Sequence, residues 1–182
     1  TVTFTTDAPS DVSIFDTTAF DLRALTVNSL SVTAGGNVSD SGALDIATTV
    51  GITTTASNGT VILDQASDID GALTVTTHGS GTTSVTNLTG AIDLGAITTA
   101  ALTIGAGGAV TQSGLSTVTG VSSFTAGAFA ITLDQANDFT GAVSLSNSGA
   151  NNVTIDDAND LVLGTVTIGA GNLSVDNAGT IT

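Results

Sequence analysis

The sequence predicts an all-β chain: a right-handed parallel β-helix (β-solenoid) of about eight rungs of ~23 residues, each with three short strands. Three observations carry that prediction. An apolar step returns along the whole chain, the apolar residues are small or β-branched, and Gly-, Asn- and Asp-rich clusters separate short alternating runs.

The returning step opens at Val2, Leu25, Val50, Leu73, Ile97, Val121, Val143 and Val166, at intervals of 23, 25, 23, 24, 24, 22 and 23. It reads apolar–polar–apolar, as in Val2-Thr3-Phe4, Leu25-Thr26-Val27, Leu73-Thr74-Val75 and Val166-Thr167-Ile168. At Val121 the apolar partner, Phe124, falls one residue late, and Ile97-Thr98-Thr99 has lost its second apolar member.

Two more apolar steps recur inside each period. One includes Val12-Ser13-Ile14, Ile131-Thr132-Leu133 and Val153-Thr154-Ile155; the other includes Phe20-Asp21-Leu22, Leu44-Asp45-Ile46 and Ile92-Asp93-Leu94. Three alternating strands per period give a triangular coil. Turn clusters such as Ala34-Gly35-Gly36-Asn37, Ser57-Asn58-Gly59 and Asn147-Ser148-Gly149 form its corners. With strands spaced about 4.8 Å apart, eight rungs make a rod about 38 Å long.

A longer repeat is nested over the first. Leu63-Asp64-Gln65-Ala66-Ser67-Asp68-Ile69-Asp70-Gly71-Ala72 returns as Leu133-Asp134-Gln135-Ala136-Asn137-Asp138-Phe139-Thr140-Gly141-Ala142. The offset in numbering is 70. Leu30-Ser31-Val32, Leu102-Thr103-Ile104 and Leu173-Ser174-Val175 recur at offsets of 72 and 71. At ~23 residues per rung this reads as a three-rung super-repeat, copied about two and a half times. The chain is expected to be one solenoid segment, residues 1–182, either internal to a longer chain or a stacking filament subunit.

Composition narrows the function classes. Sixteen aspartates face one basic residue, Arg23, for a formal net charge of −15. Nucleic acid and anionic membrane surfaces both call for Lys and Arg, so neither is expected as a partner. No apolar run approaches the ~20 residues of a spanning helix, so no membrane insertion is expected. The 41% apolar content is too high for a disordered chain. An immunoglobulin-like array, a hexapeptide coil and a calcium-binding nonapeptide coil each lack their sequence signature here.

Leu133 to Val143, Asp160-Leu161-Val162-Leu163-Gly164 and Leu30 to Val38 resemble the repeats of filamentous haemagglutinin-like bacterial surface adhesins and β-strand-repeat proteins. The resemblance runs along essentially the whole chain. It implies a right-handed β-helix exported to the cell surface or beyond, with roles in adhesion, aggregation or matrix formation.

The side chains offer little chemistry. Asp156-Asp157 is the one adjacent acidic pair, but no Trp or Tyr is present to stack on a sugar and no basic residue lies near, so no enzyme is expected. Both are expected as turn residues facing water. Stacking at ~22 residues would place Asp134 near Asp156 and Asp138 near Asp160, about 5 Å apart. Like charges at that distance repel by about 0.8 kcal/mol in water and about 3 kcal/mol at an effective dielectric of 20. Ca²⁺ would relieve this, which makes Asp134, Asp138, Asp156 and Asp160 the candidate metal ligands and calcium the one candidate cofactor. His78 is expected in an exposed turn, Arg23 paired with Asp16 or Asp21, and Phe139 and Phe4 in the core.

The function expected is a structural fibre or stalk of a bacterial cell-surface or extracellular adhesin. Its partners would be further rungs, through head-to-tail self-association or continuation within a giant chain, and a cell-surface receptor or glycan. The alternative is an extracellular binding module whose Thr- and Asp-rich face contacts glycan or cations.

Overall fold

Alternation with period two makes the strands. In Ser29–Ala34, Leu30, Val32 and Ala34 are buried while Ser31 is exposed and Thr33 half-exposed, the pattern of a strand with one face on a core. The computed structural model describes residues 10–86 and 88–182; the expected Val2-Thr3-Phe4 strand lies outside them. The described residues contain strands and turns and no helix, and so no helix long and apolar enough to cross a membrane.

All strand pairs are parallel and link residues about one turn apart, so the chain is a β-solenoid of about eight turns. Each turn has three sides. The first carries Asp11–Asp16, Ser29–Ala34, Val50–Ser57 and Ala72–His78 in successive turns. The second carries eight stacked strands, from Phe20–Leu22 and Val38–Asp40 up to Val143–Ser146 and Leu163–Thr167. The third begins with Leu25–Val27, Leu44–Ile46 and Asp68–Ile69. Higher up, the strand rounds the third-to-first corner without a break. Ile92–Thr99 pairs through Ile92–Leu94 with Val110–Gln112 and through Ile97–Thr99 with Ser116–Val118. Ile131–Phe139 does the same one turn on.

Pairing registers set the length of a turn. On the second side the numbering advances by 18 from Phe20 to Val38, by 23 from Val38 to Val61 and by 21 from Ser122 to Val143. The steps that return every ~23 residues in sequence therefore slide across the coil. Leu25 lies on the third side, Val50, Leu73 and Ile97 on the first, and Val143 and Val166 on the second.

The same registers correct the super-repeat. Leu30 is on the first side, its counterpart Leu102 on the second, and Leu173 on the third. Likewise Leu63 is on the second side and Leu133 on the third. A copy is thus not three turns but ten sides, or three and one third turns, and each copy is rotated by one side from the last. A copy of about 70 residues over ten sides gives about 21 per turn, inside the observed range. The corners follow the same rule. Gly79 and Gly149 hold the same place in successive copies and both have positive φ, 63° and 73°; one turns the first-to-second corner, the other the second-to-third.

The core is a column of inward Leu, Ile and Val from all three sides. Two aromatics stand in this column: the rings of Phe124 and Phe139 meet edge to face, with centroids 5.9 Å apart. Phe139 is buried, as expected.

Candidate functional surface

The acidic candidates do not converge. Leu133 pairs with Ile155, which places Asp134 beside Asp156, and Asp156 pairs with Asp176 in the next turn. This leaves an outward column of three aspartates. Asp138 and Asp160 do not stack. The register shifts after Leu133, where four steps to Asn137 match only two from Ile155 to Asp157. The slack bulges out at Gln135 and Ala136. Asp138 instead accepts a hydrogen bond from Asn159 Nδ2 at 3.0 Å, and Asp160 accepts the Thr180 N–H at 2.7 Å. Among the described residues no three His or acidic side chains come together in a way that could hold a metal ion.

Asp157 departs from expectation. It is a fully buried strand residue, not a water-facing turn residue, while Asp156 is half-buried. Phe139 N–H donates to its Oδ1 at 2.9 Å, and its Oδ2 is buried without a hydrogen-bond partner among the described residues. Burial pushes its carboxyl above the ordinary range, partly offset by the N–H groups of Phe139 and Asn159. Asp40 is the second buried acid. Burial raises it too, against the N–H groups of Asp64 and Gln65, which donate at 2.8 and 3.3 Å.

The Leu-Asp-Gln-Ala motif now has a structural role. In the first copy Asp40 accepts the Asp64 and Gln65 N–H groups, and Ser67 Oγ accepts the Leu44 N–H at 3.0 Å. In the second copy Gln112 stands at the Asp40 position and accepts the Gln135 N–H at 3.5 Å. Asn137 stands at the Ser67 position and accepts the Ser116 N–H at 2.8 Å. The motif satisfies backbone groups that a buried corner would otherwise leave unpaired. Sequence reasoning missed this because the partners lie one turn below, 21 to 25 residues back.

Above Asn137 the buried polar column continues through Asp157 to Asn177. Both side-chain polar atoms of Asn177 are buried and without a partner among the described residues.

On the outside, hydroxyls stack in ladders. Thr33, Thr53, Thr76, Thr98 and Thr117 run up the first side, Ser84, Thr103, Ser123 and Ser144 up the second, and Thr154 and Ser174 continue on the third. The one-side rotation of each copy spreads them round the rod, so no single face owns the Thr. A shallow hollow of about 290 Å³ opens on the second side between Phe20, Asp21, Asn37, Val38, Thr60 and Ile62.

His78 and Arg23 are both at the surface. His78 is exposed at the end of a strand, with Nδ1 2.7 Å from the Thr54 carbonyl oxygen. Arg23 reaches Asp21, Nε to Oδ2 3.6 Å, and both remain largely in water.

A family model described as Repeats of unknown function (DUF5649) matches residues 9–76, 80–146 and 150–182. Successive matches begin one copy apart and the third is half as long as the others, which reproduces the two and a half copies read from the motifs. No curated protein and no solved structure matches the chain.

Proposed function

The chain belongs to this family of repeats, and on that premise we propose that it is a rod: a structural segment in the stalk or fibre of a bacterial cell-surface or extracellular adhesin. It acts through length and stiffness, not through a side-chain site. The observation that carries this reading is the ten-side copy. A unit that ends one side further round than it began can be followed by another without a seam, and each copy adds about 16 Å of rod at about 4.8 Å per turn. The likeness of Leu133 to Val143 and Leu30 to Val38 to haemagglutinin-type adhesin repeats supports the surface location. A charge of −15 keeps neighbouring rods apart, as a solvated stalk requires.

Electron imaging of the native material on its source cells tests this. Thin filaments reaching outward, with receptor or glycan bound at a tip, are expected. Globular particles, or ligand decorating the filament sides, would overturn it.

A second reading is a flank that holds cations, favoured by the Asp134, Asp156 and Asp176 column. Thermal melting with Ca²⁺ and then with chelator separates the two. The rod reading expects an unchanged midpoint, and a clear rise with Ca²⁺ would favour the flank.

A further inference from the structure

The first-to-second corner that follows Val50–Ser57 carries the chain's single Asn-Gly pair, Asn58-Gly59. Asn58 is exposed, and it is the only non-glycine residue with positive φ, 83°, among the described residues. Gly59 N–H donates to the Ala56 carbonyl oxygen at 3.2 Å, which closes a four-residue turn. With φ positive at Asn58 and not at Ser57, this is a type II turn, and Asn58 holds the place that glycine usually takes. In the second copy the matching turn runs from Ala126 to Phe129, with Ala128 where Asn58 stands.

An Asn-Gly pair can react with itself, because glycine puts no side chain in the way of its own nitrogen. The Gly59 nitrogen bonds to Asn58 Cγ, the Cγ–Nδ2 bond breaks, and ammonia leaves with the proton of the Gly59 N–H. Water then opens the five-membered ring at either carbonyl and leaves aspartate or isoaspartate in place of Asn58. Water is the sole co-reactant, and Asn58 is in contact with it.

The corner opposes each part of this reaction. At the third position of a type II turn ψ is about 0°, which eclipses the Gly59 nitrogen with the Asn58 backbone nitrogen and turns it away from Cβ. Gly59 is buried, and its carbonyl oxygen accepts the Thr54 hydroxyl at 3.0 Å. One turn above, Ser80 donates to Asn58 Oδ1 twice, from its N–H at 2.9 Å and from Oγ at 2.7 Å. Asn58 N–H donates to the His78 carbonyl oxygen at 2.8 Å. The turn above is shaped round this side chain, since a Cβ on Gly79 would lie 2.8 Å from Asn58 Oδ1. We propose that Asn58-Gly59 is a self-modification site held latent by this corner, with Ser80 as its latch. The amide becomes a carboxylate when the corner opens, so the chain carries a lasting record of opening. Aspartate leaves the main chain unchanged and offers Ser80 the same acceptor, so the corner recloses. Isoaspartate adds a methylene to the main chain and spoils the match with the turn above.

Peptide mass spectrometry of the full chain, held at mildly alkaline pH both folded and in urea, measures conversion of Asn58. The folded chain is expected to convert at least about tenfold more slowly than the unfolded one. Ser80→Ala is expected to raise the folded rate about fivefold, through loss of one hydrogen bond. Ser80→Thr keeps the hydroxyl and is expected to stay near the parent rate. Equal rates in the folded and unfolded chains would overturn the proposal, and that comparison decides alone where the alanine variant does not fold. A folded Ser80→Ala chain no faster than the parent would also overturn it, as would a Ser80→Thr chain as fast as the alanine variant.

Discussion

Leu63 to Ile69 and Leu133 to Phe139 are nearly the same seven residues placed on different sides of the coil, and they solve the same corner with different strength. In the first copy Ser67 covers one backbone donor, Leu44 N–H. In the second, Asn137 accepts from Ser116 N–H and from Gln112 Nε2, both at 2.8 Å, and its Nδ2 donates to the carbonyls of Gln135 and Asp156 at 2.8 and 3.0 Å. The acceptor one turn below is a carboxylate in the first copy, Asp40, and a neutral amide in the second, Gln112. The corner geometry is therefore a property of the copy, not of the side. What varies is how many buried polar groups depend on one residue.

The largest expected effect follows from that difference. Asn137→Ala leaves several buried groups unpaired and is expected to cost about 3 kcal/mol, against about 1 kcal/mol for Ser67→Ala, read by urea unfolding. Equal losses would break the comparison.

Next in size is Asp157→Asn. The amide keeps an acceptor for Phe139 N–H and removes a buried charge with an unpaired oxygen. Stability at pH 7 is expected to rise by about 1–3 kcal/mol. The sign of the pH dependence follows from the raised carboxyl. The folded state takes up the proton more readily than the unfolded, so the burden of Asp157 is full above its folded pKa. It fades as pH falls toward the ordinary value of 3.8. The advantage of the Asn variant should shrink over that window. An advantage that grew on acidification would contradict the assignment.

The smallest effect is at the upper edge. Asn177→Ala restores the residue found at Ala34 and Ala106 and removes two unpaired buried polar atoms, so it is expected to stabilise the chain by about 1 kcal/mol. A destabilised variant would mean that Asn177 already has a partner.

Strands, parallel coil and copy length are all legible in the sequence, because Leu30-Ser31-Val32 and its relatives alternate cleanly and return at a fixed offset. The side on which each strand falls is not. Self-similarity reports the distance between copies, about 70 residues, whereas the length of a turn depends on how much chain each corner takes up. That amount differs between turns, as the pairings of Phe20 with Val38 and of Val38 with Val61 make plain. Dividing the copy by three gives a whole number of turns that the registers do not support. The candidate ligands fared accordingly. Asp134 and Asp156 are neighbours because the run from Ile131 to Leu133 is regular, and Asp138 and Asp160 are not because Gln135 and Ala136 bulge between them. Asp157 reads as a turn residue in sequence because its burial comes from the turns stacked on either side.

The central claim is that a copy spans ten sides and that sides are interchangeable. Two internal deletions test it most directly. Removing Asp64 to Leu133 takes out one copy, joins Leu63 to Asp134, and places Asn137 where Ser67 stood, beside Leu44 N–H. Removing Asp64 to Phe124 takes out three turns, because Leu63, Val85, Ile104 and Phe124 are stacked on one side. It keeps every side aligned but sets Ala128 where Ser67 stood, so Leu44 N–H loses its acceptor. Urea unfolding of the two proteins is the measurement. The copy deletion should unfold cooperatively and be more stable than the three-turn deletion by about 1–3 kcal/mol, the cost of leaving the buried Leu44 N–H unpaired. A three-turn deletion as stable as the copy deletion, or more so, would contradict the claim.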